Sequence, residues 1–447
     1  MARRKRGPDR IRVGKVTLYL HHGAWWIYFS EGTQPIRRKV SESQKDAEIL
    51  AAQTNLQLTQ GAPTAFSFEQ VSVAELRKRF LDYHEHVLKS SVGTVNRYRA
   101  ATKHLEDFAN WQKRVPEAHE VRPDAFASYL RQTDVAPNGH KHSKKRKLRD
   151  KGVRFILETC RSMYNFGVKR RHMPPYMGNP FSELPLDRFR VEDAKPIFVF
   201  NEATELAFFK AASDWAFPIH FTFAKTGVRI GELTHLLIED VDLAGGWMNV
   251  RNKTELGWRI KTGHERAVPL LPEVVAVLRS VIGNRGMGLV FLREKLIDKT
   301  PKIVGSRAEL EVVLRDRIDA ARTGVASLSR TDVQDLARKV WWDTGQVKSD
   351  MVRTSFLRIM EAIGHPEATC PKSWRHSFAT LLQDANVDPL IRQQTLGHKP
   401  TNGNGLGMTG NYTHTRPETK RQQIEQALRR WPASLQYALE RVGCPAR

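Results

Sequence analysis

KSWRHSFATLLQDANVDPLIRQQTLGHKPTNGNGLGMTGNYTH, residues 372–414, is the stretch on which the reading of this chain turns. Phe378, Leu381 and Leu382 fall on one face of a helix. A second short helix, Pro389 to Leu396, is expected to end in Gly397-His398, and a run rich in Gly and Asn then leads to a lone Tyr412. Lys372, Arg375, His398 and Tyr412 sit where the chain changes direction. A phenol titrates near pH 10, so it is a poor nucleophile unless cations surround its target. Arg, Lys and His are the groups a phosphodiester needs as charge builds during displacement at phosphorus. The combination points to a tyrosine that attacks a DNA phosphate.

The bulk properties agree. At 447 residues there is room for two or three domains, each with a core, and 40% hydrophobic with 9% aromatic residues is a globular composition. Lys and Arg number 72 against 48 acids, a formal charge of +24, which calls for a polyanionic partner. Nucleic acid is the favoured reading over an anionic membrane or a ribosome-like assembly. No apolar run approaches the roughly 20 residues of a membrane span. The basic N-terminus MARRKRGPDRIR lacks the apolar stretch of a signal peptide. Three dispersed cysteines, Cys160, Cys370 and Cys444, form no disulfide framework and fit a reducing cytosol.

Taken in order, residues 1–63 form a small module. Val16–Leu20, Trp25–Phe29 and Ile36–Val40 are expected as three strands, with a helix from Ser43, its N-cap, to about Gln60. Arg37, Arg38 and Lys39 on the last strand suit either DNA contact or an exposed edge that resists aggregation. From Phe68 to Arg131 the pattern is helical, and a basic run including Lys144, Lys145, Arg146 and Lys147 precedes a further helix. Such a run is a solvated helix face or a set of phosphate contacts that add affinity but little sequence choice.

A Pro-bounded linker over Leu184 to Pro196 separates these helices from a second helical region. There Arg229 falls at a helix start, where free N–H groups favour an anion, although alone it would serve as a salt-bridge partner. A β meander is expected next, with strands at Trp247–Arg251 and Leu256–Ile260. Lys261 lies in the turn that follows, where a lysine is usually just solvated but, held on a stiff hairpin, can donate a proton to a leaving oxygen. Thr300 to Asp350 reads largely as an insertion with helical patches.

The strings TGVRIGEL (226–233), KTGHERAVPL (261–270), SWRHSFATLL (373–382), LGHK (396–399) and NYTH (411–414) together resemble the tyrosine recombinases, the phage-integrase type of site-specific recombinase. Each string alone is weak; five in the family's order over about 190 residues are not. The resemblance implies a mainly α fold with small β-sheets. A helical core-binding domain of SAM-like type would span 67–183 and a mixed α/β catalytic domain 196–447, with an insertion at 300–350. The module at 1–63 is similar to an arm-type DNA-binding domain, and the two larger domains would clamp DNA.

Position by position, Arg229 and Arg375 match the two arginines that grip the scissile phosphate, a task suited to a fork-shaped guanidinium. Lys261 matches the hairpin lysine that protonates the departing 5′ hydroxyl, and His398 the histidine that hydrogen-bonds the phosphate. Tyr412 matches the nucleophile that forms a 3′-phosphotyrosyl link. Glu232 and His376 match supporting positions, with structural roles favoured for both.

Two departures from the family matter. Lys372 stands where histidine is usual, three residues before Arg375. An ammonium stabilises charge but does not accept the phenol proton unless burial depresses its pKa, so the general base is left open. Fourteen positions separate Tyr412 from His398, more than is usual, and the excess falls in a Gly- and Asn-rich segment. That segment would let the tyrosine swing in cis or reach a neighbour's site, or is a tolerated loop insertion.

After Tyr412, two apolar stripes (Ile424, Ala427, Leu428, Trp431; Leu435, Leu439, Val442) suit docking on a neighbouring protomer, with packing on the parent domain as the plain alternative. The histidines and cysteines lack metal-ligand spacing and there is no Walker-type loop, so neither metal nor cofactor is expected. The expected partners are double-stranded DNA attachment or recombination sites, a homo-tetramer on paired sites, and accessory DNA-bending or directionality proteins, with no membrane. The expected setting is the bacterial cytoplasm and nucleoid, and the expected role is integration or excision of a mobile element. The alternatives are a type IB topoisomerase-like relaxing enzyme and a DNA-binding regulator that has lost catalysis.

Overall fold

The structure is a computed structural model that describes residues 10–136, 142–174, 177–192, 196–323, 327–398 and 415–443. The chain divides into two compact units, Met1–Lys195 and Pro196–Arg447.

The first unit opens with an antiparallel sheet of four strands in chain order: β1 (Arg10–Val13), β2 (Val16–His21), β3 (Ala24–Glu31) and β4 (Gln34–Ser41). Three strands were expected. The fourth, RIRV, is short and lacks an aromatic signal, but its alternation places Ile11 and Val13 against the small core of Val16, Leu18, Trp25, Ile27 and Phe29. Helix α1 (Gln44–Thr59) covers that core, capped by the Ser43 side chain as expected. The helices α2 (Val73–Asp82), α3 (Val92–Trp111), α4 (Pro123–Gln132) and α5 (Asp150–Lys169) enclose a second core built on Leu76, Phe80, Leu105, Phe108, Phe126 and Tyr164. The basic run is not a helix face. Arg146–Lys147 forms a short strand, β6, paired with β5 (Asp134–Val135), which leaves Lys144 to Lys147 exposed.

The second unit begins with α6 (Glu202–Ala211), α7 (Ala216–Thr226) and the short α8 (Ile230–Thr234). A three-stranded antiparallel sheet follows, β7 (Val241–Asp242), β8 (Trp247–Val250) and β9 (Arg266–Pro269). The strand expected at Leu256–Ile260 is absent, and Thr254–Leu256 is instead a single helical turn. Gly257, at φ +68°, breaks any extended run there, and a Cβ at this position would lie 2.9 Å from Cβ of Ala337.

Next come α9 (Pro272–Ile282), α10 (Arg307–Arg322), α11 (Arg330–Asp343), α12 (Ser349–Ala362), α13 (Ser373–Asp384) and α14 (Pro389–Leu396). The last two helices are α15 (Pro417–Leu428) and α16 (Pro432–Arg441). The region read as an insertion shares an apolar cluster with the framework: Leu310, Leu314, Val340 and Trp341 pack with Leu237, Leu256 and Leu289.

The tail follows the plain alternative. Ile424, Ala427, Leu428, Leu435 and Ala438 are buried in the main core of their own unit. A buried Lys225–Glu205 ion pair meets Ser434 of α16, whose hydroxyl lies 2.8 Å from Nζ of Lys225 and 2.6 Å from the Glu205 carboxylate. No helix among the described residues is long and apolar enough to cross a membrane.

Candidate active site

Helix α7 is buried on every side and stops at Thr226 because Gly227 turns left-handed, φ +60°. A Cβ on Gly227 would sit 2.2 Å from Cδ1 of Phe378, so this turn packs directly on α13. Two residues later Arg229 occupies the N-cap position of α8 with extended backbone. Glu232, in the first turn, accepts from the Arg229 backbone N–H at 2.8 Å and from its Nη1 at 2.9 Å.

The same carboxylate accepts from Arg266 of β9, Nη1 at 3.1 Å and Nη2 at 2.6 Å. Glu232 is 2% exposed in this pairing and Arg266 6%. Burial pushes the Glu232 carboxyl up, but the hydrogen bonds and charge of Arg266 and Arg229 outweigh it, so it stays below the usual carboxylate range.

Arg375 enters from the first turn of α13. Beside it Trp374 is fully buried, stacks on Phe200 at 3.7 Å, and donates from Nε1 to Nδ1 of His220 at 3.3 Å. That bond leaves Nε2 of His220 as the protonated nitrogen facing Ser355 Oγ at 2.8 Å, so His220 is neutral, with burial holding its pKa at about 3. On this rigid base the Arg375 guanidinium donates to the Gly227 carbonyl at 2.6 Å and to the Leu396 carbonyl. Its Nη2 also lies 3.1 Å from Nε2 of His398.

The two arginines therefore meet at the C-terminus of α14, where unpaired carbonyls carry partial negative charge. Arg229 Nη2 donates to the Gly397 carbonyl at 3.2 Å, and Thr262 Oγ1, beside Lys261, reaches the same oxygen at 3.3 Å. Gly397 is left-handed, φ +63°, and a Cβ would stand 2.8 Å from Nη1 of Arg266. Glycine is thus required on steric and conformational grounds together.

The electrostatics favour an anion. Burial, then the charge of Arg229, pulls the Arg375 guanidinium down to about 10. Burial, then Arg375, Arg229 and Arg266, lowers the pKa of His398. Neutral His398 accepts from Arg375 at Nε2 and so carries its proton on Nδ1, which is a donor. Glu232 is the carboxylate bound between Arg229 and Arg266. The structure thus brings Arg229, Arg375, His398 and Glu232 together, with Lys261 exposed one residue from Thr262.

The remaining expected residues fall as follows. Lys372 is exposed at the N-cap position of α13, and His376 is half-buried, its pKa lowered by burial and then by Lys372 and Arg375. Tyr412 lies outside the described residues. In the first unit Arg37, Arg38 and Lys39 are exposed on β4; the Arg37 guanidinium lies over the rings of Tyr19 at 5.1 Å and Trp26 at 5.4 Å, and Lys39 pairs with Glu42 at 3.3 Å. Lys147 donates to the Gln132 carbonyl at 2.6 Å.

Sequence reasoning missed Arg266, whose signal was an arginine at the start of the apolar strand AVPL. It also missed Lys420 of α15, which is buried, donates to the Ala267 carbonyl at 2.6 Å and has its pKa lowered to about 8 by burial and then by Arg266. Nothing in its local sequence marks Lys420.

Residues 216–419, which carry Arg229, Glu232, Arg266, Arg375 and His398, match the Phage integrase family model. That segment is similar to the catalytic part of the phage integrase family. Among its relatives, tyrosine recombinase XerC of Pelobacter propionicus is 28% identical over 193 residues, 43% of this chain and 45% of that protein. Tyrosine recombinase XerC of Thermodesulfovibrio yellowstonii is 24% identical over 322 residues, 71% of this chain and 84% of the relative. The transposase from transposon Tn916 of Enterococcus faecalis is 26% identical over 247 residues, 52% of this chain and 51% of the transposase. The alignment with the first of these spans less than half of that relative's length. A Tn1549 transposon integrase bound to transposon right end DNA superposes with TM-score 0.48 at 16% identity, covering 80% of this chain and 99% of that one.

Proposed function

We propose that the chain cuts, exchanges and rejoins DNA strands at specific sites through a 3′-phosphotyrosyl intermediate, as the integrase of a bacterial mobile element. The observation that carries this reading is the convergence of Arg229, Arg375 and neutral His398 on the end of α14. In the proposed reaction the two guanidinium groups hold the non-bridging oxygens of the scissile phosphate and Nδ1–H of His398 donates to one of them. Tyr412 Oη forms a bond to phosphorus and passes its proton to solvent water. The bond from phosphorus to the 5′ oxygen breaks, and the ammonium of Lys261 protonates that oxygen. Lys372 adds positive charge, while Glu232 and Arg266 orient Arg229. Rejoining reverses these steps, so the bond energy stays in the covalent link.

The substrates are double-stranded attachment sites, worked on by a homo-tetramer across paired sites, with DNA-bending or directionality proteins as helpers, in the bacterial cytoplasm. Likeness to a Tn916 transposase supports the mobile-element role. A suicide substrate nicked beside the cut tests the chemistry. Wild type is expected to form a covalent adduct, Tyr412→Phe none, and Arg375→Ala none while still binding DNA. Failure of wild type on every attachment site flanking the element would leave a binding regulator. Relaxation of unrelated supercoiled plasmid by a monomer would mark a topoisomerase.

A further inference from the structure

Helices α10 and α11 lie in the stretch that the family resemblance leaves without a role. Their inner faces join the framework core, and the outer side of α11 and the start of α12 frame a cleft of about 610 Å³ whose opposite wall is the end of α8 and Trp258. His235 forms that wall. Its ring stacks on Trp258 at 4.9 Å, Gln346 Nε2 lies 2.6 Å from its Nε2, and its Nδ1 lies 2.8 Å from the Gly231 carbonyl. Gln346 donates and Gly231 accepts, so the histidine is neutral and the wall carries no charge.

The opposite side is cationic. Arg338, Lys339 and Lys348 line it, all exposed, and no carboxylate is among the lining residues. Arg338 pairs with Asp335 at 2.5 Å, whereas Lys339 and Lys348 form no salt bridge among the described residues. Between them Trp342, 40% exposed, has the Arg293 guanidinium at 3.4 Å and the Lys348 ammonium at 4.4 Å over its ring. Cations along an open cleft suit an extended polyanion, because a small ligand needs enclosing apolar walls.

We propose that this cleft is an additional DNA-backbone site, in which Lys339, Lys348 and Arg338 hold phosphates of the duplex engaged by the catalytic unit. The inference rests on reading the chain as a DNA recombinase, and α8 is the physical link. It starts at Arg229 and ends, beyond Thr234, at the His235 that walls the cleft.

The test is the salt dependence of binding by the full chain to a random-sequence duplex. Each phosphate contact contributes about 0.9 to the slope of log affinity against log salt, so Lys339→Gln/Lys348→Gln should reduce that slope by about two. Lys295→Gln/Lys299→Gln removes the same charge from exposed positions outside the cleft and should leave the slope nearly intact. Lys339→Gln alone, within α11 and away from the start of α12, should reduce it by about one. An unchanged slope in the cleft variants, or an equal loss in the control pair, overturns the proposal. Adduct formation by wild type on the nicked substrate is scored separately. Adduct with an unchanged slope defeats the cleft alone, whereas a lowered slope without wild-type adduct supports the cleft and defeats the recombinase reading.

Discussion

Glu232→Gln tests whether Arg229 is held by a carboxylate or by packing. Gln keeps the shape and one acceptor oxygen but removes the charge that both Arg229 and Arg266 face at 2.6 to 3.1 Å. Both partners of the Arg266 pair are more than nine-tenths buried, so the loss cannot be made good by water. Removing one member of a buried pair costs about 3–5 kcal/mol, and the retained amide puts the expected loss near the lower figure. In a unit of this size that is a fall of roughly 6–12 °C in Tm.

Arg229 also loses the charge that fixes its fork toward the Gly397 carbonyl. A hydrogen bond between charged groups contributes about 1.5–3 kcal/mol, which slows adduct formation roughly ten- to 150-fold if it orients Arg229 in the transition state. Equilibrium DNA binding should not weaken, because the site becomes one charge more positive. Thermal melting, filter binding and single-turnover adduct formation measure the three terms. An unchanged Tm with an unchanged rate would refute the argument.

Gly227→Ala should cost more than 2 kcal/mol in urea unfolding, since left-handed backbone costs about 1–2 kcal/mol before the clash with Phe378 is counted. Cleavage rate should hold at neutral pH and fall as pH drops below 6.5, because protonation of His398, shifted below that value, turns its Nε2 from an acceptor of Arg375 into a like charge. Stability should fall over the same acid range: unfolded histidine takes up its proton near 6.5 whereas buried His220 waits until about 3, a slope of about 1.4 kcal/mol per pH unit readable by denaturation across pH. Lys225→Met should destabilise by about 3–5 kcal/mol by stranding Glu205, and Lys225→Met/Glu205→Leu should recover most of it in the same melting assay.

Much of this was local enough to read from the chain. Ser43 caps α1, Pro389 opens α14 and Gly397 closes it, because caps and breakers act within one turn. The order of five short motifs sufficed to place Arg229, Arg375 and His398 in one site, since each motif couples a charged group to a turn that aims it. Only tertiary structure decided that Arg266, 34 residues from Glu232, shares its carboxylate, and that Gly257 abandons a strand to admit α11. The same holds for the tail, whose apolar stripes would suit a neighbour or its own domain equally, and for the 300–350 region, whose helices complete the framework core. Periodicity states that a face must be buried; which surface buries it depends on packing between segments far apart in sequence, and that information is carried by no single stretch.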